Sequence, residues 1–205
     1  MFQTFDSPAT PLQGPPRLAA LRNVMADQGL AGFIIPRADA HQGEYVAARD
    51  ERLQWLTGFT GSAGFCIVLP ETAGVFVDGR YRVQVKAQVD AAHFSPVNWP
   101  ETTAGDWIKA HLKDGVVGYD PWLHTPKEIA KLQSALDKTD IKLHPTANLV
   151  DAIWPDQPEP PLGRAFIHPD TLSGEASAAK RARLAEAMHK ADQRAAIITL
   201  PDSIC

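Results

Sequence analysis

Apolar residues recur along this chain with two different periods. Leu18, Leu21 and Met25 share one helical face after Pro15 and Pro16, and Gly29 stands where a left-handed residue closes a helix. The run Phe33-Ile34-Ile35 predicts a buried strand, followed by a polar loop that holds Asp39, His41 and Glu44. Leu53-Gln54-Trp55-Leu56 and a glycine-rich loop from Gly58 to Gly64 lead into a second strand, Phe65 to Leu69. A short turn from Glu71 to Gly74 joins it to Val75-Phe76-Val77, which predicts a hairpin. After Asp78-Gly79-Arg80 the period turns helical from Tyr81 to Val89, and again near Trp107 to Leu112. Val116-Val117 reads as a short strand. Thr125, Pro126 and Glu128 carry a capping box with proline at the first helical position, for a helix running to about Asp137. Strands alternating with helices predict an α/β fold, a mixed β-sheet flanked by helices.

From Pro155 to Pro161 four prolines fall within seven residues, too stiff and too poor in donors for a helix or a central strand. We place a linker at about 155–163, between a first domain, 1–161, and a second segment, 164–205. In that segment Ser173 or Ser177 is expected to cap a helix carrying Leu184 and Met188, which ends before the apolar run 195–198. It repeats the start of the chain. Leu21, Met25, Ile34, Ile35 and Asp39 match Leu184, Met188, Ile197, Ile198 and Asp202 at one constant offset of 163 positions. The gapless match, including the Asp after the strand, predicts a duplicated domain whose second copy is cut off after its first helix and strand.

The 205 residues, 44% hydrophobic and 21% charged, have the balance of a globular protein. A formal charge of -4 leaves no positive field for nucleic acid. Cys66 and Cys205 cannot build a secreted-type disulfide framework, which fits a cytoplasmic setting. The first thirty residues lack the apolar stretch of a signal peptide, and no run of about 18 apolar residues predicts a membrane span.

Candidate chemistry is thin. The Gly58 to Gly64 loop precedes a strand, not a helix, which argues against a phosphate cradle or a nucleophile elbow; its glycines are expected to serve positive φ angles and close packing. Asp39, His41 and Glu44 are metal-binding types without a supporting motif, and turn formation explains them. His93, His111, His124, His144, His168 and His189 show no catalytic spacing and read as solvated surface residues. The five tryptophans read as core or interface anchors. Arg80 sits at a strand-to-helix junction, where its guanidinium fork could hold a carboxylate or a carbonyl; a structural pair with Asp78 is equally open. These residues alone yield an α/β domain without an active site.

Several segments, taken in order, carry a resemblance. They are Ile34-Ile35-Pro36 with the loop Asp39-Ala40-His41-Gln42-Gly43-Glu44-Tyr45, then Arg52 through Gly64, then Asp78-Gly79-Arg80-Tyr81 with Gln84. Gly118-Tyr119-Asp120-Pro121 and Asn148 through Trp154, with Asp156, Pro158 and Pro161, follow. Together they resemble the long, three-domain form of aminopeptidase P in the creatinase, prolidase and aminopeptidase P superfamily. Lys180, Leu184, Met188 and Thr199-Leu200-Pro201-Asp202 resemble the start of that family's second domain, which shares the fold of the first. The resemblance implies hydrolysis of the bond between an N-terminal residue and a following proline, with two divalent metals, usually manganese, activating a bridging water. Their two Asp, one His and two Glu ligands lie in a C-terminal pita-bread domain outside this sequence, so the segment itself is expected to hold no metal and no catalytic residue. By the same resemblance Arg80 reaches the substrate site, across a homodimer interface, with His41 as a lesser substrate-binding candidate. The segment would narrow access to peptide N-termini. The alternative is a stand-alone binding or assembly module with this fold; creatinase or prolidase activity is a weaker enzymatic reading.

Overall fold

The computed structural model describes residues 10–204. The chain divides into two compact units, Met1–Pro160 and Pro161–Cys205.

In the first unit, helix α1 (Gly14–Asp27) buries Leu18, Leu21 and Met25, and Gly29 beyond its end takes φ +67. Leu30 N then bonds back to Met25 O at 2.8 Å, the left-handed closure that glycine allows without steric cost. Strand β1 (Gly32–Pro36), helix α2 (Arg52–Thr57) and strands β2 (Phe65–Val68) and β3 (Ala73–Val77) follow. Next come α3 (Gln84–Gln88), β4 (Ser95–Asn98), α4 (Ala104–His111), β5 (Asp114–Tyr119), α5 (Pro126–Leu136), β6 (Asp140–Pro145) and α6 (Leu149–Ile153). The strands form one six-stranded sheet in the order β4-β3-β2-β1-β5-β6. β1 with β5, β5 with β6 and β3 with β4 pair parallel; β2 pairs antiparallel with both neighbours and so runs against the other five. The expected mixed α/β fold is present, and so is the expected hairpin.

Strand side chains alternate between two cores, as the period of two requires. Phe33, Ile35, Cys66, Val68, Val75 and Val77 pack with α1, α2, α3 and α6. Ile34, Ile67, Phe76 and Val117 pack with Trp107 and Ile108 of α4 and Leu136 of α5. Phe76 is fully buried, stacked on Phe65 at 4.3 Å and met edge-on by Trp107 at 5.6 Å. Continuous apolar runs therefore mark the inner strands, covered on both faces. The sequence reading missed β4 and β6. Both lie at the sheet's edges; in β4 only Val97 is buried and in β6 only Ile141, so most of their positions are exposed and no continuous apolar run marks them.

In the second unit, α7 (Asp170–Ser173), α8 (Ser177–Lys190) and α9 (Pro201–Ile204) are formed. Neither serine makes the expected cap. Ser173 ends α7, and Ser177 lies inside α8, where its Oγ accepts from Arg181 Nη1 at 2.6 Å; the cap position falls on Ala176, which offers no side-chain oxygen. The strand expected at Ile197-Ile198 is absent, because a strand needs a ladder partner for its amides and none lies beside it among the described residues. Helix α8 shares a length and a C-terminal closure with α1. α8 and α1 are both 14 residues long, and Asp192 takes φ +53 where the offset places Gly29. Gln193 N bonds to Met188 O at 2.9 Å, as Leu30 N does to Met25 O.

Candidate functional site

Because five of six strands run the same way, their carboxyl ends bring the loops after β1, β3, β4, β5 and β6 to one edge of the sheet, where the loop into β2 also begins. Arg80 stands there in a 3-10 turn, Gly79–Tyr81, that Asp78 caps by accepting the Arg80 amide at 2.9 Å. The same carboxylate takes Arg80 Nε at 3.1 Å and Nη2 at 2.7 Å, while the guanidinium carbon lies 5.0 Å from the Tyr81 ring centroid. The Arg80 side chain hydrogen bond holds the Asp78 carboxyl below its ordinary pKa, and Asp78 in turn raises that of Arg80. The structural pair is thus formed. It uses the Nε side of the guanidinium; Nη1 has no hydrogen-bond partner among the described residues, and the side chain is 63% exposed. An arginine braced on one side and open on the other can receive a carboxylate or carbonyl oxygen with little loss of rotamer freedom.

The glycine-rich loop is fastened to the same turn. Ser62 Oγ and Tyr81 Oη lie 2.6 Å apart, and Tyr81 meets Phe59 edge-on at 5.6 Å. Thr60 Oγ1 accepts from Gln84 Nε2 at 3.1 Å and from Gln88 Nε2 at 2.8 Å, and the Thr60 amide donates to Gln88 Oε1 at 3.0 Å. Gly58 takes φ +86 as it ends α2, and a Cβ there would come within 2.5 Å of Gln88 O. The loop is a packed connector, in keeping with its expected structural role.

Arg37, which sequence reasoning passed over, ties the loop after β1 to this edge. Its Nη1 donates to Glu44 O at 2.9 Å and Ser62 O at 3.0 Å, and Nη2 donates to Glu51 Oε1 at 3.2 Å. Burial pushes the Glu51 carboxyl up, against the pull of Arg37. An arginine directly after an apolar strand was the available signal, but its partners are set by the loops' fold. In the loop itself Asp39 Oδ1 accepts the amides of His41 at 2.9 Å and Gly43 at 3.1 Å, an Asx-type turn. His41 is exposed. Among the described residues no three His, Cys, Asp or Glu side chains converge as metal ligands.

One histidine departs from the expected exposure. His124 is partly buried, its ring edge-on to Tyr119 at 5.8 Å; its Nε2 is buried without a hydrogen-bond partner among the described residues, and burial lowers its pKa. It is not a solvated surface residue, because its ring is packed against Tyr119 and its Nε2 is out of reach of water. Of the tryptophans expected as core or interface anchors, Trp107 is in the core, and Trp99 and Trp122 are exposed. No helix among the described residues is long and apolar enough to cross a membrane.

Comparison with known proteins places this geometry. The chain is 34% identical over 199 residues to a probable Xaa-Pro aminopeptidase P of Aspergillus fumigatus, covering 92% of this chain and 30% of that protein. It is 36% identical over 176 residues to Xaa-Pro aminopeptidase 2 of Rattus norvegicus, covering 82% of this chain and 25% of the relative. The chain thus spans under a third of these relatives' length. Among solved structures, X-prolyl aminopeptidase of Caenorhabditis elegans, described as a cytosolic enzyme with a di-nuclear active site, superposes with a TM-score of 0.78 at 29% identity. That match covers 95% of this chain and 34% of the other. Two family profiles, each described as the Creatinase/Prolidase N-terminal domain, match residues 17–153 and 156–205. The chain belongs to the creatinase/prolidase N-terminal domain family.

Proposed function

We propose that this chain is the N-terminal substrate-channel and dimerisation segment of a metal-dependent aminopeptidase that cleaves between an N-terminal residue and a following proline. The observation that carries the proposal is the alignment of 92% of the chain with an Xaa-Pro aminopeptidase P at 34% identity. Hydrolysis falls to the part of the parent protein beyond the 30% of length that the segment matches. Two divalent metals, manganese in this reading, belong there as well; the di-nuclear active site described for the Caenorhabditis elegans enzyme supports their presence in the parent. The segment's own contribution is steric and electrostatic. Arg80, braced by Asp78 and exposed at the sheet's carboxyl edge, meets a carbonyl or carboxylate of the peptide across a homodimer interface, and His41 lies in a neighbouring loop at that edge. The parent works in the cytoplasm, as the Caenorhabditis elegans relative does. Residues 164–205 begin a second domain of the same fold as the first; the equal lengths and closures of α1 and α8 support this.

Two measurements test the proposal. The 205-residue chain, incubated with manganese and an Xaa-Pro peptide, is expected to show no turnover above a metal-free control. In the full-length parent, Arg80→Ala is expected to raise KM about tenfold or more, the loss of one charge-assisted hydrogen bond of about 1.5 kcal/mol or more. Turnover by the segment, or an unchanged KM in the variant, would overturn it.

A further inference from the structure

Arg52 opens α2, yet it is only 5% exposed. Its Nε and Nη2 donate to Oδ1 and Oδ2 of Asp151 in α6 at 2.6 and 2.9 Å, a bidentate fork, and its Nη1 donates to Asp50 Oδ1 at 2.9 Å. Asp151 also holds the chain that follows it. Gln157 Nε2 donates to Asp151 Oδ1 at 2.8 Å and to Arg49 O at 3.0 Å, while Arg49 Nη1 returns a bond to Pro158 O at 3.3 Å. Beside this network Trp154 stacks on Trp55 at 5.1 Å with 17° between the rings, and the Arg17 guanidinium lies 4.2 Å from the Trp55 ring centroid. The proline-rich stretch that reads as a linker from 155 is therefore fastened to α2 through Pro158. Past it, Glu159 to Gly163 are exposed, their amides make no hydrogen bond among the described residues, and a side chain at Gly163 would meet nothing within 4 Å.

We propose that Arg52 is a latch that fixes where and in which direction the chain leaves the first unit, and that the pivot to the second unit is confined to residues 159–163. The latch has a plain mechanical effect. At about 3.5 Å per residue, a nine-residue linker from 155 to 163 would reach ~31 Å, whereas the five residues left free reach ~17 Å. Pro160 and Pro161, two of those five residues, limit their bends further. The fork matters more than the charge, because a lysine at position 52 could satisfy one carboxylate oxygen but not span both.

The test is 15N relaxation on the whole 205-residue chain, read at the amides of Trp154, Asp156, Gln157, Glu159, Leu162 and Gly163. In the unsubstituted protein, order parameters of about 0.85 are expected through Gln157, falling below about 0.6 at Leu162 and Gly163. In Arg52→Lys and Asp151→Asn, the fall is expected to begin at Trp154 while the amides of β1, β2 and β3 keep their native shifts. If either variant fails to fold, Gln157→Ala decides: it leaves the Arg52 fork intact, and loss of order confined to 156–159 supports the latch's outer arm. Low order from Trp154 onward in the unsubstituted chain would overturn the proposal. So would unchanged order at 154–157 in folded Arg52→Lys and Asp151→Asn, or in Gln157→Ala where that variant decides.

Discussion

Single positions in this fold are constrained by backbone geometry and burial more than by identity. Gly58 holds φ +86 with Gln88 O where a Cβ would sit, so Gly58→Ala must strain the backbone and displace the start of the glycine loop. A loss of roughly 1–3 kcal/mol is expected in urea unfolding; a variant as stable as the parent would show that the loop adjusts freely. His124 supplies a pH dependence. Burial lowers its pKa below the ordinary 6.5, outweighing the pull of Glu128 and Asp120. The unfolded chain then binds this proton more readily than the fold does. His124's contribution is complete above pH 6.5 and is lost as pH falls through its lowered folded value. Glu51 acts the other way: raised by burial, its contribution is complete below pH 4.5 and is lost as pH rises through the folded value. Replacing His124 by Phe should therefore lessen the drop in urea midpoint between pH 7.5 and 5, and an unchanged drop would assign it to other groups. Of these constraints, the glycines were legible because a positive φ is a local need that favours this residue type, and the Asp78-Arg80 pair because its partners lie two residues apart. His124, Arg37 and Arg52 were not, since what covers or pairs with them comes from chain as far as 99 positions away.

At the level of elements, legibility followed coverage. Strands clad on both faces announce themselves as apolar runs, as Phe65 to Val68 and Ala73 to Val77 do, whereas edge strands such as Ser95–Asn98 mix polar, proline and apolar positions without a run. Local capping was equally readable. Glu128 N donates to Thr125 Oγ1 at 3.2 Å and Thr125 N to Glu128 Oε2 at 2.8 Å, so both halves of the α5 box are made. Thr125→Ala is expected to cost about 1 kcal/mol in urea unfolding. Thr125→Ser, which keeps the acceptor, should restore most of it. The second segment went the other way: its helix formed where periodicity placed it, but Ala176 rather than a serine precedes α8, and Ile197-Ile198 pairs with no strand among the described residues.

For the molecule as a whole, the two units differ in how much apolar surface they bury. The first unit closes a sheet over two cores, and α1 buries Leu18, Leu21 and Met25 in one of them. In the second, α8 has no buried residue, and Leu184, at the position matching Leu21, is exposed. A helix of 14 residues that fully buries no side chain is marginal in water, because its nucleation cost is offset mainly by burial of an apolar face. Proteolysis reads this difference directly, since cleavage requires local opening and opening is cheapest where apolar contacts are fewest. Brief trypsin treatment should cut first after Arg164, Lys180, Arg181 and Arg183, leaving a fragment that ends near residue 164 and resists long afterwards. Arg80 and the lysines of α5 should survive in that fragment, held by the capped turn and by the helix. Early cleavage inside 17–153 would mean that the first unit is the looser of the two. Equal resistance of α8 and the sheet in a monomer would mean that the apolar face of α8 is covered.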